Sequence, residues 1–405
     1  MRLTLRTVLF LTLFMGTLGL AKSAQCEQVQ WKTPDQYIRA CYSDIPALFG
    51  ERGLDKGQWA YSSGMKSVEY PVVTGAVMWG IAKITPSGIH AVRSYFNINV
   101  FLLLIIFIFI ALVTFKIRPE FSYLLPLAPA AVMSLYINWD LWAIISMMGA
   151  IYWFDRKKYL LSALALGISI STKFMPIFLL LPILFIFWKK NYLRESLKYL
   201  GTTLLTFAVI NIPVYLSTPQ GWLRFYQLNI SRGPDWGSPW YALSLLGIDV
   251  ANLNYLAILS LLIGLILIFI FLLELSYIPT LASVSFILIA TAMAVSKVYS
   301  PQYVLWLTPL AAIALIDKRD LPAFWIWQGG EVLYHLAIWE HLALVTGAKF
   351  GLPPFAFAIA TLIRIVASLY LVTILVRRSL KVGNRGSRWH KSLRQFRFDS
   401  PESYP

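Results

Sequence analysis

Charge is scarce in this chain: Asp, Glu, Lys and Arg make up 13% of 405 residues, against 58% hydrophobic residues. So few charges cannot solvate the surface of a soluble domain, and a mean hydropathy of +0.65 puts the chain in the membrane class. A P-loop, a GxGxxG after a strand, HExxH and CxxC are all missing, as are internal repeats and low-complexity segments. Those absences remove the usual sequence signatures of nucleotide, zinc and thiol-redox chemistry and of repeat architectures. Cysteine occurs only twice, at Cys26 and Cys41. Both fall in the first polar interval, where an oxidising exterior allows them to pair. Closing that loop contributes roughly 3 kcal/mol in the chain-entropy model.

What the chain has in abundance is apolar runs long enough for a hydrocarbon core of about 30 Å. They fall at roughly 4–21, 95–115, 121–137, 140–154, 159–172, 174–188, 198–216, 252–272, 279–296, 301–316, 321–337 and 355–376, about twelve spans. The fold class expected is an all-α polytopic membrane protein. The net charge of +16 is placed unevenly, in "KIRPE" (116–120), "DRKK" (155–158), "KKNYLRESLK" (189–198), "DKRD" (317–320) and a tail, 377–405, with eight Lys/Arg. That is the bias of cytoplasmic connections, so nucleic acid is not an expected partner and the bilayer is. If those segments face the cytoplasm, both termini do too, and the protein is a multi-pass plasma-membrane protein.

The apolar piece 70–84 breaks this alternation if it crosses. It reads instead as a helix at or dipping into the outer surface, with Pro71 near its start. The expected organisation is one membrane domain, 1–376, holding a first extracytoplasmic loop at 22–94 and a second at 217–251, followed by the basic tail. "MRLTLR" with "AKS" (21–23) also fits a cleavable signal peptide; a retained span is expected, since it would hold the following loop at the membrane surface.

Polar residues held at the outer ends of spans are where function is expected, because charge at membrane depth is costly and faces a cavity or a partner. Five segments place such residues on one face. In "ACYSDIPALFGERGL" (40–54), Asp44 lies among Tyr42, Ile45, Pro46 and Leu48, which pack its backbone against the surface; Asp35, Glu51, Asp55 and Glu69 are the other acids of that loop. "INWDLWA" (137–143) brings Asn138 and Asp140 to a turn, and "STKFMP" (171–176) brings Lys173. "SKVYSPQY" (296–303) compresses Lys297, Ser300, Gln302 and Tyr303 between two spans, too polar for a minimal turn. "NISRGPDWGSPWYAL" (229–243) adds Arg232, whose planar guanidinium suits a phosphate. Lys173, Lys297 and Arg232 point to an anion and Asp44 to a base. No nucleotide sugar is expected outside the cell, so an enzyme there needs an activated group on a lipid, and a polyprenyl phosphate suits the three cations.

In order along the chain, the acid of "YSDI", "EYPVVTGAVMW", "NWD", "TKFMP" and "SKVYSPQYVLW" resemble the pattern of GT-C superfamily glycosyltransferases. The set is most similar to the prenyl-phosphate-mannose-dependent family 87 mannosyltransferases of actinobacteria. The resemblance covers roughly residues 20 to 310 and departs from the related "YPP" form at Val72. It implies a GT-C fold with surface helices in the first extracytoplasmic loop and an acidic catalytic base there, which carries over to Asp44 alone. It further implies transfer of a hexose, mannose, from a polyprenyl-phosphate-linked donor to a glycolipid, lipoglycan or protein acceptor, with inversion.

Lys173, Lys297 and Arg232 are then expected at the donor phosphate, and Glu69, Tyr70, Asn138, Asp140, Ser300, Gln302 and Tyr303 at the substrates. In "GGEVLYHLAIWEH" (329–341), Glu331 and His335 lie one helical turn apart and are expected to contact the acceptor. No metal site and no cofactor are expected. Two other classes stay open at this stage: a flippase for an anionic lipid, and a surface-glycan polymerase or ligase.

Overall fold

The structure, a computed structural model, describes residues 4–384. The part of the basic tail from residue 385 onward lies outside the described residues. Among those described, helices and turns carry the whole architecture and no strand occurs. Five helices are long and apolar enough to cross a membrane: Leu5–Gln28, Ala91–Ile117, Leu193–Ser217, Leu253–Glu274 and Pro354–Val382. Shorter apolar helices, among them Tyr159–Thr172, Met175–Lys189 and Leu281–Val295, pack between them. The chain is therefore a polytopic, all-helical membrane protein.

Close helix packing follows from small residues. Asp140–Asp155 and Tyr159–Thr172 lie against each other, with Ala143, Ala150, Ala163 and Gly167 all buried. Hydroxyls join them: Ser162 Oγ donates to the Ala150 carbonyl at 2.7 Å and Ser169 Oγ to that of Ala143 at 2.7 Å. A Cβ at Gly167 would lie 2.6 Å from Thr206 Cβ, so only glycine admits the Leu193–Ser217 helix this closely.

One expected span does not form as a single helix. Residues 121–137 give two short helices, Leu124–Leu127 and Pro129–Ser134, parted by an extended Ala128. Pro129 is the cause: it disfavours helical backbone at the residue before it and cannot donate into the preceding turn. The apolar piece beginning at 70 forms the helix Val72–Ile84, with Pro71 extended just before it.

Two ends of the bundle are distinguishable. At one, the Arg118 guanidinium donates to the carbonyls of Ile313 and Ile316, and Arg378 pairs with Asp320 at 3.0 Å. At the other lie the start of Asp140–Asp155, the end of Tyr159–Thr172, the connection between Leu281–Val295 and Val304–Ala314, and the first long loop. Three short-range devices fasten that loop. Cys26 and Cys41 are joined in a disulfide with a Cα–Cα separation of 5.6 Å. Ser43 caps the helix Asp44–Glu51, its Oγ accepting from the Ile45 amide and donating to the Tyr136 carbonyl at 2.7 Å. The Asp44 amide donates to the Ile137 carbonyl at 2.7 Å.

Candidate active site

The bonds of the Ser43 hydroxyl and the Asp44 amide set the first loop's acid directly on the turn that carries Asn138 and Asp140. Asp44 begins its helix, so its carboxylate projects beside the loop leading into the helix. Tyr42 Oη donates to Asp44 Oδ1 at 2.7 Å and Tyr70 Oη donates to Oδ2 at 3.2 Å. Asp44 keeps part of its surface accessible, yet protein surrounds it. Burial raises its pKa from 3.8 to about 6, against the opposing pull of the Tyr42 hydrogen bond, the Lys173 charge and the Tyr70 hydrogen bond. Tyr42 is held well above its ordinary range first by the Asp44 charge, and Tyr70 first by burial, so both phenols keep the protons they donate.

Lys173 caps the end of Tyr159–Thr172, where the following Pro176 turn ends the helix. Its Nζ pairs with Asp140 Oδ1 at 2.6 Å, the lysine side chain 15% and the aspartate 1% exposed. Asp140 is held from its other oxygen by Trp306 Nε1 at 3.1 Å, and its amide donates to Asn138 Oδ1 at 3.0 Å. The ammonium also lies 4.8 Å from the ring centre of Tyr70 and 5.9 Å from that of Tyr303. Tyr70 thus touches the carboxylate with its hydroxyl and the cation with its face.

A second charged pair adjoins through Tyr303, which senses Asp235 and Arg232 as well as Lys173 and Asp140. Arg232 donates to Asp235 Oδ1 at 3.0 Å, and Ser300 Oγ donates to Asp235 Oδ2 at 3.1 Å. The Asp235 amide bonds the Lys297 carbonyl at 2.8 Å, stitching the two loops together. Gln302 and Asn138 are buried nearby on the same segments, each with one amide atom lacking a partner among the described residues.

Three of the expected groups are engaged by the protein itself. Lys297 was expected at the donor phosphate, but its Nζ is turned to the carbonyls of Asn229, Ile230 and Arg232 and to the Asn254 side chain. An ammonium has three protons to give, and here they cap the end of the helix Pro219–Ser231, whose last carbonyls have no intrahelical donor. Glu69 was expected at the substrate, but its carboxylate is held in a two-pronged pair by Arg52, at 2.7 and 2.9 Å. That pair ties the end of the Asp44 helix to the residue before Tyr70.

Glu331 and His335 were expected to contact the acceptor, but they are buried, 2% and 1% exposed. Glu331 pairs with Arg364 Nε at 2.8 Å and accepts from Tyr299 Oη and Trp327 Nε1; His335 lies against Lys22 and Ser134. Their positions in the middle of Leu321–Val345 place them beneath the site, inside the bundle.

Two further contributors lie outside the expected site residues. Tyr42 is two residues before Asp44, a spacing that carries no pattern until the helix start is known. Arg364, fully buried in the last helix, donates to the carbonyls of Tyr299 and Ser300 at 2.7 and 3.0 Å and stacks on Tyr299 and Tyr334. A Cβ at Gly237 would collide with the Tyr299 carbonyl and crowd Arg364, so this guanidinium fixes both the 296–303 and the 232–238 loops. Among the described residues, no group of three or more His, Cys, Asp or Glu side chains is arranged to hold a metal ion.

The fold and site together define a polytopic helical membrane protein with a protonatable carboxylate and two compensated cations gathered at one end of the bundle. No family model matches the chain, and no curated protein matches it in sequence. Among solved structures, it is similar to the crystal structure of ArnT from Cupriavidus metallidurans bound to undecaprenyl phosphate. That similarity has 13% sequence identity and a TM-score of 0.47, covering 98% of this chain and 80% of the other.

Proposed function

We propose that this chain is a GT-C glycosyltransferase that moves a hexose, mannose, from a polyprenyl-phosphate-linked donor to a glycolipid, lipoglycan or protein acceptor on the extracytoplasmic face. The observation that carries the reading is the Asp44 carboxylate, raised to about 6 and aimed by two tyrosine hydroxyls, beside the Lys173 ammonium. The order of motifs that resembles family 87 mannosyltransferases supports it and selects the sugar.

The chemistry follows from that pair. An acceptor hydroxyl attacks the anomeric carbon from the face opposite the phosphate, its proton passing to Asp44 as the new C–O bond forms. The bond from that carbon to the phosphate oxygen breaks with its electron pair, and polyprenyl phosphate leaves with inversion at carbon. A base with a pKa near 6 takes up the proton more readily than an ordinary aspartate and remains ionised at neutral pH. Lys173 and Arg232 meet the negative charge that grows on the leaving oxygen, the kind of electrostatic help that often dominates such reactions. Tyr70 keeps the base and the cation at a fixed separation.

The test is incubation of membranes with labelled polyprenyl-phosphate-mannose, with and without the protein, and identification of the labelled product. Protein-dependent transfer that Asp44→Asn reduces by about 10²–10⁴-fold is expected. Label that crosses the bilayer without being transferred would overturn the reading in favour of a flippase.

A further inference from the structure

Asp44 stands between two unlike surroundings. Beyond Oδ2 and Tyr70 lie the Lys173–Asp140 pair and Tyr303, a charged side suited to a phosphate. Beyond Oδ1 and Tyr42 lie aromatic rings. The Tyr42 ring is 5.5 Å from Tyr37, with planes 28° apart, and 5.6 Å from Trp339; Tyr37 and Trp339 are 6.2 Å apart and near-parallel at 13°. A second aromatic group, Trp236, 37% exposed, with Tyr241 and His341, lies on the other face of Leu321–Val345, because His341 stands two positions from Trp339 on that helix. These rings come from four separate segments: the first loop, the 232–241 loop, the end of Leu321–Val345 and the start of the last helix, where Phe357 stacks on His341.

We propose that this aromatic side binds a neutral pyranose ring of the acceptor and presents one of its hydroxyls to Asp44. The inference rests on Asp44 acting as the base, since a base in such a transfer lies between donor and acceptor. With the phosphate drawn to the charged side, the acceptor takes the other. The axial C–H bonds of a sugar ring meet the electron-rich face of an aromatic ring favourably, and Tyr37 and Tyr42 are only half-buried.

A second observation separates a sugar from an isoprenoid tail on the same rings. Among the described residues, Trp339 Nε1, on the ring that packs with Tyr37 and Tyr42, is without a hydrogen-bond partner. The indole Nε1–H is a donor only. A sugar oxygen accepts from such a donor; a hydrocarbon chain offers no acceptor and would leave the penalty of the unpaired group in place.

The experiment is saturation-transfer NMR on the full chain in lipid nanodiscs, with α-1,6-mannobiose and cellobiose as neutral sugar probes and undecaprenyl phosphate as the lipid probe. At least one disaccharide is expected to bind saturably. Tyr37→Ala should weaken it at least about tenfold, while Tyr37→Phe, which keeps the ring, holds it within about twofold. Undecaprenyl phosphate binding should be the same in all three proteins. Absence of saturable disaccharide binding, loss in Tyr37→Phe, or loss of undecaprenyl phosphate binding in Tyr37→Ala would each overturn the proposal, the last by making the rings a lipid site. Asp44→Asn separates the two readings: it should retain disaccharide binding, and if it also retained transfer, the base assignment would fall while the sugar site stood.

Discussion

Replacing Asp44 by asparagine should make the protein more stable while disabling it. In the folded chain burial holds the Asp44 proton more tightly than in the unfolded chain, the pKa moving from 3.8 to about 6. Folding therefore takes up a proton between those two values, and stability falls as the pH rises through that window. Above it the full cost of an ionised, buried carboxylate is present, about 3 kcal/mol at 1.36 kcal/mol per tenfold change in proton affinity. At pH 4.5 the same linkage leaves only about 1 kcal/mol. Asparagine has no proton to lose, so Asp44→Asn should be more stable than the native chain by up to about 3 kcal/mol at pH 7.5 and by about 1 kcal/mol at pH 4.5. Thermal unfolding in nanodiscs at the two pH values measures the difference, alongside transfer assays that should show the loss of turnover. A variant less stable than the native chain at pH 7.5, or one whose advantage does not shrink in acid, would refute the account of Asp44 as a strained, functional carboxylate.

The tyrosine clamp makes a related forecast. The Tyr42 hydroxyl holds the Asp44 pKa down, so Tyr42→Phe should move the acidic limb of the pH–rate profile upward from about 6, costing more activity at pH 6 than at pH 8. Arg364→Gln leaves Glu331 buried and unpaired, a loss of about 3–5 kcal/mol that thermal unfolding should report and that adding Glu331→Gln should partly restore. Lys297→Met should leave undecaprenyl phosphate affinity within about twofold, whereas Lys173→Met should weaken it at least about tenfold; equal effects would contradict the division of labour between the two lysines.

Those lysines also mark the limit of what could be read from the sequence. Both stand at the ends of apolar runs, in short motifs of similar polarity, and nothing within either motif distinguishes them. The distinction is tertiary. Lys173 faces an aspartate from a neighbouring helix end, and Lys297 faces the carbonyl end of a helix some 70 residues earlier. The lengths of the apolar runs located most of the elements, because the membrane demands long apolar helices whatever their partners. They failed at 121–137, where Pro129, the second of two prolines in that run, divides the helix. They also failed for Glu331, since an acid in an apolar helix looks the same whether it meets a substrate or an arginine from the next helix.

The pairing of each remaining cation has a consequence for turnover under the proposed chemistry. A bare ammonium buried at this depth would hold a phosphate product strongly, because little solvent competes with the attraction. Lys173 and Arg232 instead keep aspartates, Asp140 and Asp235, as standing partners. A phosphate arriving beside them adds to a pair already satisfied, so its ground-state binding is tempered. The extra charge on the leaving oxygen in the transition state still meets donors held in place by Trp306, Ser300 and Arg364. Fixed, compensated cations of this kind meet the growing charge while holding the spent lipid carrier less tightly than bare ones would, which eases its release.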